Sequence, residues 1–157
     1  MSKLQDEVDL LRSIPMLANL PANKLKLLAF ASDRISFGKG DVLFEQGDSA
    51  DSAYIVITGE ADVLVSFGSD QNFNKVAALG PNSFVGDMAI LCDIPRTATV
   101  RANQDTEVLR IRQEHLIELI NESTDLAMSV LKEIVQRLAK TTKDLSEARE
   151  EISRLQG

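Results

Sequence analysis

Gly86, Asp87, Pro95 and Arg96 are the residues of this chain whose types and spacing could do chemistry. Between Phe84 and Val100 a glycine turn leads into an acidic residue, and then into one short helical turn of free backbone N–H groups. Arg96 follows, held by Pro95 against the start of a β-branched strand. Free amides at a helix start attract an anion, and a guanidinium fork grips two phosphate oxygens at once. A carboxylate beside them would repel phosphate, yet it can accept hydrogen bonds from a sugar hydroxyl. Together these groups point to a nucleotide whose phosphate lies close to its sugar. The plainer alternative pairs Arg96 with Asp93 or Asp87 on the surface, and it suits an isolated arginine better than it suits this constellation.

The rest of the composition excludes a good deal. The 157 residues are 44% hydrophobic and 26% charged, which fits one folded domain with a real core. A net charge of −7 leaves no basic face to displace counterions, so direct nucleic-acid binding is not expected. A partner that carries the basic surface remains compatible. No apolar run reaches the roughly 18 residues of a membrane span, and the start, Met1 to Glu7, lacks the apolar core of a signal peptide. The expected location is the cytoplasm. One cysteine and one histidine make neither a disulfide nor a usual zinc site, so no metal is expected. No nucleophile–histidine–acid set is evident, and the chain does not read as an enzyme. His115 reads as a partly exposed helix residue. Cys92, at the tip of the phosphate loop, reads as a structural or incidental thiol rather than one activated by a helix start.

These side chains must be positioned by regular elements. Apolar residues at helical spacing run from Leu10 to Ser32, broken by Pro15 and Pro21 into short pieces. From Asp33 the pattern becomes short β-rich runs: Arg34–Phe37, Asp41–Phe44, Ala53–Thr58, Ala61–Phe67, Lys75–Leu79, Ser83–Val85, Thr97–Ala102 and Thr106–Arg112. Glycine-rich turns separate them; Gly59-Glu60 reads as a tight hairpin and Ser69 to Asn74 as a longer polar tip. Eight strands so spaced predict a jelly-roll barrel. Helix resumes at Gln113–Glu122, and residues 125–156 contain no proline or glycine. In that last helix Leu131, Ile134, Leu138, Thr141, Leu145, Ala148, Ile152 and Leu155 step by threes and fours, a heptad seam. At about 1.5 Å per residue it exceeds what one barrel can cover, so homodimerisation through it is expected. The fold class is thus mostly β with α, in a single domain. Residues 1–124 form the helical lead-in, barrel and short helix, and 125–157 the long lid and dimerisation helix.

The stretch Phe84–Val100 resembles the phosphate-binding cassette of cyclic nucleotide-binding domains, where Phe-Gly-Glu-Leu-Ala-Leu is followed by a short loop and Pro-Arg-Ala/Thr-Ala. Gly86, Ala89, Pro95, Arg96, Thr97 and Ala98 fall on that pattern. Gly40–Asp48 and Ala53–Val63 resemble the family's segments before the pocket, and the likeness spans roughly Leu10 to Leu145. The resemblance implies a cyclic nucleotide as ligand. Its phosphate would lie on the amides of Met88 and Ala89 and on Arg96, and its ribose 2′-hydroxyl on Asp87. Gly86, Thr97 and Ala98 would complete the cassette. The family's acid is usually glutamate; Asp87 is one methylene shorter, so its bond to the ribose is longer or runs through a water unless the backbone moves inward.

Gln136–Lys143 in turn resembles the dimer helix of the catabolite activator family, where a Thr-Ser pair reaches the adenine edge. The likeness implies that Thr141 contacts the base in its own pocket and Thr142 the base across the dimer; the alternative is a polar break that sets register. In the family, a threonine at Thr97 helps cGMP by bonding the guanine amino group, whereas the Thr141-Thr142 pair points to cAMP. The second match involves more residues, so cAMP is expected over cGMP. The implied function is a dimeric cyclic nucleotide receptor that signals by ligand-dependent rearrangement of its C-terminal helix. The catabolite activator family places a helix-turn-helix after this helix. None precedes Gly157, so the output is expected from an unknown downstream protein or from a longer chain of which this is part; Met1 reads as a start. Two rivals stand beside it: a ligand-silent structural dimer module, and the sensor portion of a DNA-binding regulator.

Overall fold

The computed structural model describes residues 3–66 and 72–156. Two helices, α1 (Lys3–Arg12) and α2 (Ala22–Phe30), precede eight strands: β1 (Asp33–Phe37), β2 (Val42–Phe44), β3 (Ser52–Thr58), β4 (Ala61–Ser66), β5 (Phe73–Leu79), β6 (Phe84–Val85), β7 (Thr99–Ala102) and β8 (Thr106–Arg112). A short helix α3 (Asp87–Cys92) sits between β6 and β7, and α4 (Gln113–Glu122) and α5 (Thr124–Gln156) close the chain. The strands make two antiparallel four-stranded sheets, ordered β1-β8-β3-β6 and β2-β7-β4-β5. This is the jelly roll that the strand spacing predicts.

Two cores explain why β3 is apolar almost without interruption and why β8 buries Val108, Leu109 and Ile111 on both of its faces. Ala53, Ile55, Leu109 and Ile111 face a helical layer containing Leu11, Leu17, Leu25, Leu116 and Leu126. Tyr54, Val56 and Val108 point the other way, into the barrel, against Val85 and Val100. Successive side chains of a strand alternate faces, so a strand covered on both sides loses the polar half of its pattern.

Several expectations need correction. The first helix begins at Lys3 rather than Leu10, because Leu4, Val8 and Leu11 already form a one-sided stripe and Val8 and Leu11 are buried. Gly59-Glu60 is not a hairpin: β3 and β4 lie in different sheets. The pair instead makes a corner docked on the β7–β8 turn, with Glu60 N donating to Thr106 Oγ1 at 3.2 Å and Asn103 N to Glu60 O at 3.0 Å. Gly59 has φ +92°, and a Cβ there would strike the Asp105 carbonyl and Thr106. Of the expected polar tip, Ser69 to Gln71 lie outside the described residues, as does Phe67 of the fourth strand, while Phe73 and Asn74 belong to β5 and pair with Ser66 and Val65. The seventh strand begins at Thr99, not Thr97. Cys92 needs no correction: it ends α3 and does not sit at a helix start.

The long helix exists as predicted from the lack of breakers, and Ser123 caps it by accepting from Leu126 N at 3.1 Å. Its seam differs in one respect. Ile134 packs against the helical core, whereas Met128, Leu131, Val135 and Leu138 form the exposed apolar stripe. From Ala139 onward every described residue of α5 is exposed.

Candidate functional site

The cassette is built around the turn at Gly86. Its φ of +79° is a left-handed conformation natural only to glycine. A Cβ on it would also collide with Arg96 Nη1 and press on the Phe44 ring. Asp87 to Cys92 then form α3, and no side chain caps its start, so its first amides are left for something else. Burial of Ala89 and Ile90 pins α3 to the core, and Gln113 Nε2 donates to Ile90 O at 2.9 Å.

Arg96 is held from the opposite side. Gly47 N donates to Arg96 O and Arg96 N to Asp48 O, each at 2.8 Å, so the glycine turn after β2 clamps the arginine's backbone. Its side chain is 4% exposed. Nη1 donates to Gly86 O at 3.0 Å and Nη2 to Ser52 O at 2.6 Å, while the guanidinium lies 4.0 Å over the Phe44 ring. Nε has no hydrogen-bond partner, and no carboxylate forms an ion pair with this cation among the described residues. Burial pushes the Arg96 pKa down, against the attraction of Tyr54, Asp51 and Asp48. A buried cation without an anion is strongly disfavoured, and the surface pairing with Asp93 or Asp87 that an isolated arginine suggests is not formed.

A cavity of about 190 Å³ opens above this arginine. Gly86, Asp87, Met88, Ala89, Arg96, Thr97 and Ala98, all named from the sequence, line it, and Phe44, Val63, Leu79 and Val100 supply an apolar wall. The guanidinium and amide donors, the carboxylate and an apolar surface therefore share one concavity. Thr141 and Thr142 do not line it; both are exposed on α5, beyond the turn where that helix meets the cassette.

Arg137 makes that contact. Its Nη2 and Nη1 donate to Asp87 Oδ2 and Oδ1 at 2.7 and 3.1 Å, a two-pronged ion pair on a carboxylate that is 3% exposed. Burial lowers the Arg137 pKa, but the Asp87 and Glu133 interactions outweigh it and the net shift is upward. Sequence reading gave Arg137 no role. The available signal was its place one turn before Thr141, on the helix face that also carries the buried Val130.

Known proteins resemble this chain in sequence and in fold. A family profile described as "Cyclic nucleotide-binding domain" matches residues 34–123, more than half of the chain. A cAMP-dependent protein kinase regulatory subunit of Blastocladiella emersonii is 27% identical over 118 residues, covering 74% of this chain and 28% of its own length. Lysophospholipase nte1 of Aspergillus terreus is 28% identical over 131 residues, 83% of this chain and 8% of its own. The chain thus spans a small part of these longer relatives. Among solved structures, the sensor domain of the transcriptional regulator DNR from Pseudomonas aeruginosa superposes with a TM-score of 0.81 at 21% identity, covering 91% of this chain and 95% of that one. At that identity the likeness speaks for the fold alone.

Proposed function

The chain belongs to the cyclic nucleotide-binding domain family, and from that premise we propose that it is a cAMP receptor whose message leaves through α5. The observation that carries this is Arg96, a buried guanidinium with a free Nε at the floor of a cavity. A singly charged phosphodiester satisfies it, together with the amides of Met88 and Ala89 at the start of α3. The neutral base is accommodated by the apolar wall.

Asp87 is the residue for the ribose 2′-hydroxyl, and Arg137 already donates once to each of its oxygens. Each oxygen keeps a second lone pair, so the competition is one of position: the sugar and the guanidinium draw this one carboxylate to different places, and each binds at the other's expense. Occupancy of the sugar position loosens the grip of Arg137 and shifts α5 relative to the barrel. In that shift Thr141 closes on the base and Thr142 on the base of a second copy. Dimerisation runs along the exposed stripe Leu131, Val135, Leu138, Leu145 and Ile152. The downstream reader of α5 is a separate protein or a further domain of a longer one. The second reading, a ligand-silent dimer module, is favoured by the same ion pair, since it leaves Asp87 satisfied without a sugar.

Calorimetric titration of the full chain with cAMP and with cGMP separates the two. A receptor binds one nucleotide per chain, cAMP more tightly. Absence of heat with both, in protein shown to carry no co-purified nucleotide, establishes the silent module.

A further inference from the structure

Away from the cassette, α2 and α4 enclose a second cavity of about 340 Å³ floored by Leu28 and Leu119. Its α2 side presents Leu27, 61% exposed, and Phe30, 84% exposed, the two most exposed large apolar side chains outside α5 among the described residues. The rims carry opposite charge: Lys24 lines the α2 side, and Glu118 and Glu122 the α4 side. Outside the lining, Lys26 flanks Phe30 on α2 and Glu114 lies one turn before Glu118 on α4. Lys24 and Glu122 pair at 2.9 Å across the cavity, but Lys26 and Glu118 form no ion pair among the described residues. Lys26 stands one turn before Phe30 on the same helix face.

One surface therefore holds a protruding ring and a hollow, and a basic edge beside an acidic one. Self-complementarity of this kind is what a two-fold contact requires, because the same patch must serve on both sides. We propose that this face binds a second copy of the chain, independently of α5. Phe30 of each copy enters the hollow of the other, and Lys26 of each faces the opposing Glu118. Whole-chain charge does not favour the contact, since each copy is net negative at −7; the local edges are complementary, and the contact buries two phenyl rings that water otherwise surrounds.

Charge exchange at exposed residues tests this without threatening the fold. Sedimentation is followed over a wide concentration range in the full chain carrying Leu145→Asp and Ile152→Asp, which disable the α5 stripe. The proposal expects reversible self-association that Phe30→Asp abolishes. It expects Lys26→Glu and Glu118→Lys each to weaken association roughly tenfold or more, because like charges then face each other. An equimolar mixture of these two variants restores association, since both pairs are again opposite in sign. A purely monomeric background, or association that none of these changes alters, overturns the proposal and leaves the groove to a segment of another protein.

Discussion

Two arginines border the same cassette, and they stand in opposite conditions. Arg96 is buried, donates to two backbone carbonyls and has no carboxylate. Arg137, more exposed, is paired in two places with the buried Asp87. The barrel has thus kept a positive charge uncompensated, and the helix has supplied compensation for a negative one only a few residues away. The first arrangement is poor for stability and good for binding an anion; the second holds α5 against the cassette and, under the proposed function, is what a sugar at Asp87 would displace.

The largest expected effect follows from the first condition. Arg96→Ala should weaken cAMP binding by roughly 2–5 kcal/mol, the range for loss of one partner of a buried charge pair, or about 30- to several-thousand-fold by calorimetry. The nucleotide-free protein should change little in stability, because relief of an unpaired buried charge offsets the loss of a donor at Gly86 O and Ser52 O. Arg137→Ala should behave the other way. Asp87 is then buried without a partner, which should lower the unfolding free energy by about 1–3 kcal/mol in denaturant titration. With its competitor gone, cAMP should bind the variant more tightly than the parent. Weaker binding would show that Arg137 contributes to the site instead of blocking it.

A third test concerns the two halves of α5. Truncation after Thr142 removes exposed turns only, so the barrel should stay folded while dimerisation weakens; an unchanged sedimenting mass would remove the stripe from the assembly. The smallest effect lies far from the site. Asp33 accepts from Arg110 and Arg112, whose hydrogen bonds hold its pKa below the ordinary value. A carboxylate so lowered adds stability above its unfolded pKa of about 4 and loses it as the pH falls through the lower folded value. Asp33→Asn should therefore flatten the acid limb of the stability profile slightly, as befits a half-exposed pair.

What the sequence made legible follows the same division. Strands and cassette were readable because local chemistry settles them: turn glycines punctuate alternating runs, and Gly86 and Arg96 are fixed by contacts within the barrel. The Gly59 corner was misread because whether two adjacent strands pair or part into separate sheets depends on the distant β7–β8 turn that receives Glu60. The tilt of α5 was equally hidden. Heptad spacing accommodates Ile134 or Val135 in the seam, and only the barrel's position decides that Ile134 turns inward and Val135 outward. Arg137 escaped notice for that reason, since its partner lies 50 residues away in sequence.

Thermal melting against rising cAMP, parent beside Arg96→Ala, tests the central claim most directly. At about 100 times the dissociation constant a ligand adds roughly 2.7 kcal/mol, which should raise the midpoint by about 5–10 °C in a chain of this size. The account predicts that rise in the parent and at most about a third of it in the variant at the same concentration. An equal rise in both would place the phosphate somewhere other than Arg96.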